Sequence, residues 1–182
     1  MVETGRSFED KGNSMAVVPE DQRMPELRRL GASAPLMRLA AGECLHEAFR
    51  GSCLGPPCYV YHGAAVPDGP PLVPLWDHGS RVAGLRAGPD GSEFIEFSIE
   101  TPQAFEVVAR TEQGFWTTRF DFLYECEVPD DVLRQAAERV GFRFVDRYMG
   151  AREAAEEQLR TFHDHQTWRR ELIARIDHEA AA

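Results

Sequence analysis

EFIEFSIE, residues 93–100, is the stretch that decides the fold class. Its residues alternate between apolar and polar, which is the period of a β-strand with one buried face. We expect three residues on that buried face: Ile95, Phe97 and Ile99. The residues expected on the opposite, exposed face are Glu96, Ser98 and Glu100. The stretch therefore predicts a strand that presents two carboxylates to solvent.

Three shorter apolar runs precede this strand, and turn residues bound each of them. They are CYVYHG at 58–63, LVPLW at 72–76 and SRVAGLR at 80–86. Each run predicts a strand. Pro74 has no N–H to donate to a ladder, so the second strand is expected at an edge of the sheet. The short connections favour an antiparallel meander.

After Pro102 the apolar period changes to that of helices. The predicted helices are PQAFEVVAR (102–110), EQGFWTTRFDFLYE (112–125) and VLRQAAERV (132–140). One more strand is predicted at 142–149, FRFVDRYM, and a long polar helix at 150–178. The sequence thus predicts an α+β fold, in which an antiparallel sheet of about four to five strands packs with helices and a long C-terminal helix follows.

The order of elements divides the chain into three parts. Residues 1–23 are polar and patternless, which predicts a flexible N-terminal segment. Residues 24–149 form the predicted α+β domain, and residues 150–182 a C-terminal helical extension. The N-terminus has no apolar run typical of a secretory signal, and no run reaches the roughly 20 residues of a membrane span. We therefore expect a cytoplasmic protein with free thiols at its four cysteines.

The acidic residues are concentrated in one quarter of the chain. The formal net charge is −10 over 182 residues, and residues 90–131 hold eleven acidic and only two basic residues. Such a segment repels nucleic acid and membrane surfaces and attracts a basic protein. The alternative is a solvated acidic face that only aids solubility. A single lysine against nineteen arginines is typical of GC-rich, bacterial coding sequences.

Five carboxylates in this region are the candidate contacts of a basic partner: Glu96, Glu100, Asp121, Glu125 and Glu127. Asp121 and Glu125 are neighbours on the predicted helix, four residues apart, and like charges so placed cost a few tenths of a kcal/mol. A surface that meets arginines and lysines offsets that cost. We therefore predict a non-catalytic acidic binding surface.

Candidate catalytic residues are few. Asp77 and His78 follow the second predicted strand, and His62 is the nearest third group. If 58–63 and 72–76 pair as a hairpin, His62 lies about 13 Å along the ladder from Asp77. A turn is then the better interpretation, although a small hydrolase or metal enzyme using these three residues stays an alternative. His163 and His165 are two residues apart on a helix, which favours a solvated face over a chelate. No cofactor or metal site is predicted.

The region around these strands resembles the SUKH superfamily. PLVPLWDHG, with Pro74 and Leu75, resembles the segment that opens the strands of that family. RFDFLYE, with Phe120, Phe122 and Leu123, is similar to its closing helix, and the likeness extends over residues 57–126. The resemblance implies an α+β scaffold without catalytic residues. It also implies an immunity protein that neutralises a toxin, such as a nuclease, by occluding its active site.

One further alternative concerns the C-terminal helix. Its thin apolar stripe could pair two copies of the chain in a homo-oligomeric regulatory or structural protein. The residues of that stripe are Leu159, Phe162, Ile173 and Ile176. The sequence therefore predicts a possible homodimer through this helix beside the basic partner.

Overall fold

The computed structural model describes residues 17–182. Most of the predicted flexible segment, residues 1–16, lies outside the described residues. Residues 17–23 pack on the domain, since Val17 forms a bridge with Leu72 and the N–H of Val18 donates to the carbonyl of Leu72. The chain is therefore structured some residues before the predicted boundary at 24.

The described chain has the predicted α+β class, with helices before and after one sheet. The helices are α1 (Arg23–Arg29), α2 (Ala34–Ala40), α3 (Glu112–Glu125), α4 (Asp130–Val140), α5 (Val145–Ala155) and α6 (Phe162–Ala181). The strands are β1 (Val73–His78), β2 (Arg81–Gly88), β3 (Gly91–Ser98) and β4 (Glu106–Ala109). Short 3-10 turns lie at Glu20–Gln22, Glu47–Phe49 and Val60–His62. No helix among the described residues is long and apolar enough to cross a membrane.

The sheet is the predicted antiparallel meander, in the order β1-β2-β3-β4. β2 and β3 pair along their whole length, from Arg81 opposite Ser98 to Gly88 opposite Gly91. Pro74 lies on the edge strand β1, as its missing N–H predicts. The stretch that decides the fold, 93–100, supplies most of β3.

Two predicted elements of this sheet are wrong. Residues 58–63 are not a strand: the N–H groups of Cys58 and Tyr59 donate to the carboxylate of Asp77, and a 3-10 turn follows at Val60–His62. The last strand is instead β4, in a segment whose period indicated a helix. The β-branched residues Val107 and Val108 suit an extended edge strand, and pairing with β3 outweighs a loose helical period over so short a segment.

Both faces of the sheet are covered, which the alternation in β3 did not predict. The larger core lies on the helix side, where Phe94 stacks on Phe115 of α3 with ring centroids 4.5 Å apart. A smaller cluster covers the other side and is formed by Val60, Leu72, Val82, Ile95 and Phe97. The face of β3 expected in solvent therefore packs beneath α3.

The C-terminal half differs from prediction in two places. Residues 142–149 are not a strand, because α5 begins at Val145. Residues 150–178 are not one helix: α5 ends at Ala155, and α6 begins with a capping box in which Thr161 and Asp164 exchange hydrogen bonds. The long C-terminal helix is confirmed, but it is α6 alone.

Helix α6 is held against α3 at both ends. At the distal end, the carboxylate of Asp177 accepts hydrogen bonds from the N–H groups of Arg110 and Thr111 and from the Thr111 hydroxyl, at 2.6–2.9 Å. A Cβ on Gly114 would lie 2.2 Å from that carboxylate, so only glycine fits the crossing of the two helices. This docking places the first turn of α6 beside the last turns of α3, where the candidate site lies.

Candidate functional site

Glu96 does not lie on an exposed surface. Its side chain is 7% exposed beneath α3, with one oxygen 3.4 Å from Nη2 of Arg81 and the other in contact with Nη2 of Arg119. The predicted exposure was wrong because α3 covers the polar face of β3, and Arg119 of that helix supplies the counter-charge. Glu96 therefore stabilises the fold and is not available to a partner.

Asp121 is also buried, with no exposed surface. The Tyr148 hydroxyl donates to its Oδ1 at 3.1 Å, and Nε2 of His165 lies 3.1 Å from its Oδ2. Nη1 of Arg169 is 3.5 Å from the same Oδ2. The expectation that Asp121 faces a partner was wrong, because α6 brings an imidazole and a guanidinium of the same chain onto it.

His165 lies between two carboxylates of α3. Its Nδ1 is 3.3 Å from Oε1 of Glu125, while its Nε2 faces Asp121. His165 therefore bridges Asp121 and Glu125 with its two ring nitrogens. The expected solvated face holds for His163, which is exposed, and is wrong for His165, which is 8% exposed.

The same three residues are the one group, among residues 17–182, with metal-ligand geometry. Donor atoms of Asp121, Glu125 and His165 lie within 4.8 Å of one another. A divalent ion there would replace the contacts of His165 with both carboxylates and would lie beside the guanidinium of Arg169. The contacts therefore favour an ion-paired clasp between α3 and α6 over a metal centre.

The remaining predicted carboxylates are exposed. Glu125 and Glu127 lie where α3 ends, and Asp130 and Asp131 open α4. Within the described residues, none of these four carboxylates forms an ion pair with lysine or arginine. Asp130 and Asp131 lie near Arg134, but that guanidinium is paired with Asp146. We call Glu125, Glu127, Asp130 and Asp131 the acidic corner.

Glu100 lies in the turn after β3. The N–H of the preceding residue, Ile99, donates to the carbonyl of Ser80 in the turn between β1 and β2. In that same turn His78 contacts the ring of Phe122 on α3, at a centroid distance of 6.1 Å. Glu100 is therefore exposed at the end of the sheet where α3 also ends.

Within the acidic corner, Glu127 has an unusual backbone. Its φ of +59° is the only positive φ of a non-glycine residue in the described chain. The left-handed conformation follows the end of α3, a position that glycine commonly occupies. A glutamate there costs roughly 1 kcal/mol relative to a residue free of that strain.

A polar cavity of about 250 Å³ lies between the helix face of the sheet, α3 and the start of α6. Trp76, Glu96, Thr118, Arg119 and Arg169 are among the residues that line it. Four buried polar atoms of this lining have no hydrogen-bond partner among the described residues: Nε1 of Trp76, Oγ1 of Thr118, Nε of Arg119 and Oε1 of Glu96, of which the last is in ion-pair contact with Nη2 of Arg119. Buried polar groups are nearly always satisfied, so this cavity is a candidate binding site.

The alternative catalytic residues are not brought together. Asp77 accepts the N–H groups of Cys58 and Tyr59 at 2.7 and 2.8 Å, which is the role of a turn cap. His78 is the next residue on the strand and faces the opposite side of the sheet, against Phe122. His62 is exposed and its Nδ1 lies 2.8 Å from the carbonyl of Cys58. This geometry gives no support to a shared catalytic site.

Two of the four residues expected to pair two copies are used within the chain, and Leu159 lies before α6 and is half-buried. Ile173 and Ile176 are 7% and 0% exposed and belong to the helix-side core. Phe162, at the start of α6, is 76% exposed and lies at the mouth of the polar cavity. A homodimer through this stripe would require α6 to leave its own domain.

No family model, curated protein or solved structure matches this chain.

Several site residues were not indicated by the sequence. Trp76 reads as a core anchor, and Thr118 and Arg119 lie in a helix without any motif. The pairing of His165 with Asp121 joins residues far apart in the chain. Its one sequence signal was the like-charge pair Asp121 and Glu125, whose cost a nearby cation would offset; Arg169 of the same chain supplies one.

Proposed function

We propose that this chain is a non-catalytic binding protein that captures a basic protein through the acidic corner, with Glu100 as a neighbouring contact. A nuclease toxin is the candidate partner. Its cleft must attract the phosphates of nucleic acid, and the same positive charge suits a carboxylate surface that occludes it. The role is that of an immunity protein.

The observation that carries this proposal is the conformation of Glu127. The left-handed backbone at the end of α3 favours glycine, yet the chain places an exposed carboxylate there. Residues that store strain of this kind concentrate at functional sites. A charged side chain kept at a cost to folding is consistent with a role in binding.

Glu125 bears a second cost of the same kind. It is the last residue of α3, where the helix dipole is negative and disfavours a carboxylate. Asp130 and Asp131, in contrast, lie in the first turn of α4, where the dipole favours them. Nδ1 of His165 offsets part of the cost of Glu125 within the fold, and a basic partner would relieve the remainder and the strain at Glu127.

The experiment is capture of partners by the tagged full chain from its native cells, at about 0.05 M and 0.3 M salt. Exposed charges are screened beyond about 10 Å at 0.1 M ionic strength, so a charge-driven complex should weaken at the higher salt. We expect one stoichiometric basic protein at low salt. The double variant Glu125→Lys, Glu127→Lys should lose that protein.

The matched control is Glu153→Lys with Glu157→Lys. Both residues are exposed, and the double reversal changes the net charge equally, away from the corner. The proposal requires this control to retain the partner. Equal capture by both variants, or no basic protein at low salt, would remove the acidic corner from the function.

A further inference from the structure

We infer that the polar cavity binds a small zwitterion of the amino-acid class, with its carboxylate inside and its ammonium at the mouth. The inference shares Glu125 with the proposed capture of a protein, but it is carried by the buried lining of the cavity and not by Glu127. It gives a role to the cavity, which lies at the same end of the molecule as the acidic corner.

The space is sufficient for such a ligand. The cavity measures about 250 Å³, whereas one buried water molecule needs only about 10–15 Å³. Elements from three parts of the fold line it: all four strands beneath, α3 on one side and the start of α6 on the other. Its walls belong to packed strands and helices, so the cavity is preformed.

The inner lining offers hydrogen-bond donors. Trp76 and Thr118 are 1% and 4% exposed, and neither the indole N–H nor the hydroxyl has a partner among the described residues. The Nε–H of Arg119 is likewise unpaired, because this guanidinium reaches Glu96 through Nη2. Indole and guanidinium are donors only, so the ligand group they select is an acceptor such as a carboxylate.

The cavity is lined by equal numbers of positively and negatively charged side chains, which disfavours a ligand that carries only a negative charge. Three guanidinium groups line it, from Arg81, Arg119 and Arg169. Three carboxylates also line it, from Glu96, Glu106 and Glu125. Such a site has no net attraction for a lone anion or cation, but it can pair both ends of a molecule that carries one of each.

The exposure of the lining side chains sets the orientation of the bound ligand. Glu96 and Arg119 are nearly buried and already paired, whereas the side chain of Glu125 is 46% exposed at the mouth. Phe122 and Phe162 also lie at the mouth, with 36% and 76% of their surface exposed. The ammonium is therefore placed beside Glu125, where an aromatic face can add a cation–π contact.

The test is isothermal titration calorimetry of the full chain with each of the twenty L-amino acids at up to 10 mM. We expect binding of at least one of them. For that amino acid, the analogue without the amino group and the analogue with an amidated carboxylate should each bind at least about tenfold more weakly. That loss corresponds to one charge-assisted hydrogen bond.

Variants locate the binding in the cavity. Thr118→Val keeps the shape of the side chain and removes the unpaired hydroxyl, and should weaken binding about tenfold. Thr117→Val is the control, because its hydroxyl donates to the carbonyl of Gln113 in its own helix, and binding should not change. If Thr118→Val fails to fold, Arg81→Gln replaces it, since that side chain is 59% exposed.

Three results overturn the inference. They are no heat with any of the twenty amino acids, equal binding of an amino acid and its deaminated analogue, and unchanged binding in both Thr118→Val and Arg81→Gln. None of them bears on partner capture, because neither Thr118 nor Arg81 belongs to the acidic corner. Failure here and failure of the proposed function are therefore separate outcomes.

Discussion

Nε2 of His165 lies 3.1 Å from Oδ2 of Asp121, and this contact joins the start of the last helix to the middle of the domain. Asp121 is fully buried, and besides His165 it meets the Tyr148 hydroxyl and the guanidinium of Arg169. A buried carboxylate is tolerated only with such partners. The acidic segment thus divides into carboxylates that hold the fold and carboxylates that face solvent.

Removal of the imidazole should be strongly destabilising. We expect His165→Ala to lower the free energy of unfolding by about 3–5 kcal/mol, because it leaves the charge of Asp121 buried with one partner fewer. Urea denaturation at pH 7 measures the change. His163→Ala is the matched control on the same helix turn; that side chain is exposed, and its removal should cost less than about 0.5 kcal/mol. Equal effects of the two substitutions would contradict the clasp.

Glu96 and Glu100 separate the two classes of carboxylate on one stretch of chain. Glu96→Ala leaves the guanidinium of Arg119, which is 13% exposed, without its main counter-charge. We expect a loss of about 3–5 kcal/mol in the free energy of unfolding. Glu100→Ala should change it by less than about 0.5 kcal/mol, because Glu100 is exposed. Denaturant unfolding of both variants measures the difference. A small effect of Glu96→Ala would contradict the burial and pairing of the Glu96 side chain.

The alternation in EFIEFSIE correctly predicts a strand, but it does not say what covers each face. The period is the same whether the polar face meets water or an oppositely charged helix. Only the contact of Arg119, a residue of α3, with Glu96 decides between these, and that contact follows from the return of α3 over the sheet. Strand, meander and helix class are local properties and were predicted from the sequence; the burial of Glu96 and Asp121 is a long-range property and was not.

The same distinction explains two of the misassigned segments, 58–63 and 106–109. Residues 58–63 have the composition of a strand, but Asp77 accepts the N–H groups that a ladder would need. Residues 106–109 are too short for a reliable period, and their pairing with β3 makes them β4. Local pattern is outweighed in both places by a partner distant in the chain.

The left-handed backbone of Glu127 leads us to expect that its replacement by glycine changes stability and partner binding in opposite directions. Glu127→Gly should raise the free energy of unfolding by about 1 kcal/mol, because glycine adopts a φ of +59° without strain. The same variant should bind the basic partner more weakly through loss of a carboxylate. Glu171→Gly, in the middle of α6, should instead lower stability by about 1 kcal/mol. Thermal unfolding and capture of the partner measure the two properties, and a destabilised Glu127→Gly would contradict the strain.

Two tyrosines predict a loss of stability at alkaline pH. Burial is the main cause that raises the pKa of Tyr61 to about 12, from an ordinary value of 10.0. Burial, followed by the charge of Asp121, raises the pKa of Tyr148. A group whose pKa is higher in the folded state contributes stability that is complete below its unfolded pKa and is lost as the pH rises through the folded pKa. Stability should therefore fall from pH about 10 towards about 12.

Two tyrosine variants test whether ionisation of Tyr148 causes that loss of stability. Tyr148→Phe cannot ionise, so its unfolding free energy should fall less steeply above pH 10, although at neutral pH it is lower by about 1–3 kcal/mol through loss of the hydrogen bond to Asp121. Tyr59→Phe, at an exposed position, should retain the slope of the original chain. Urea unfolding at intervals from pH 8 to 12 gives the slopes, and identical slopes for all three proteins would refute the assignment.

The central claim is that the acidic corner guides a basic protein onto this chain. The most direct measurement is the association rate constant of the captured partner, at about 0.05 M and 0.3 M salt, for the original chain, Glu125→Lys with Glu127→Lys, and Glu153→Lys with Glu157→Lys. We predict that the rate falls at least about tenfold with salt for the original chain, and that only the corner variant is slowed to a similar extent at low salt. Equal rates for the two double variants, or a rate insensitive to salt, would contradict the claim.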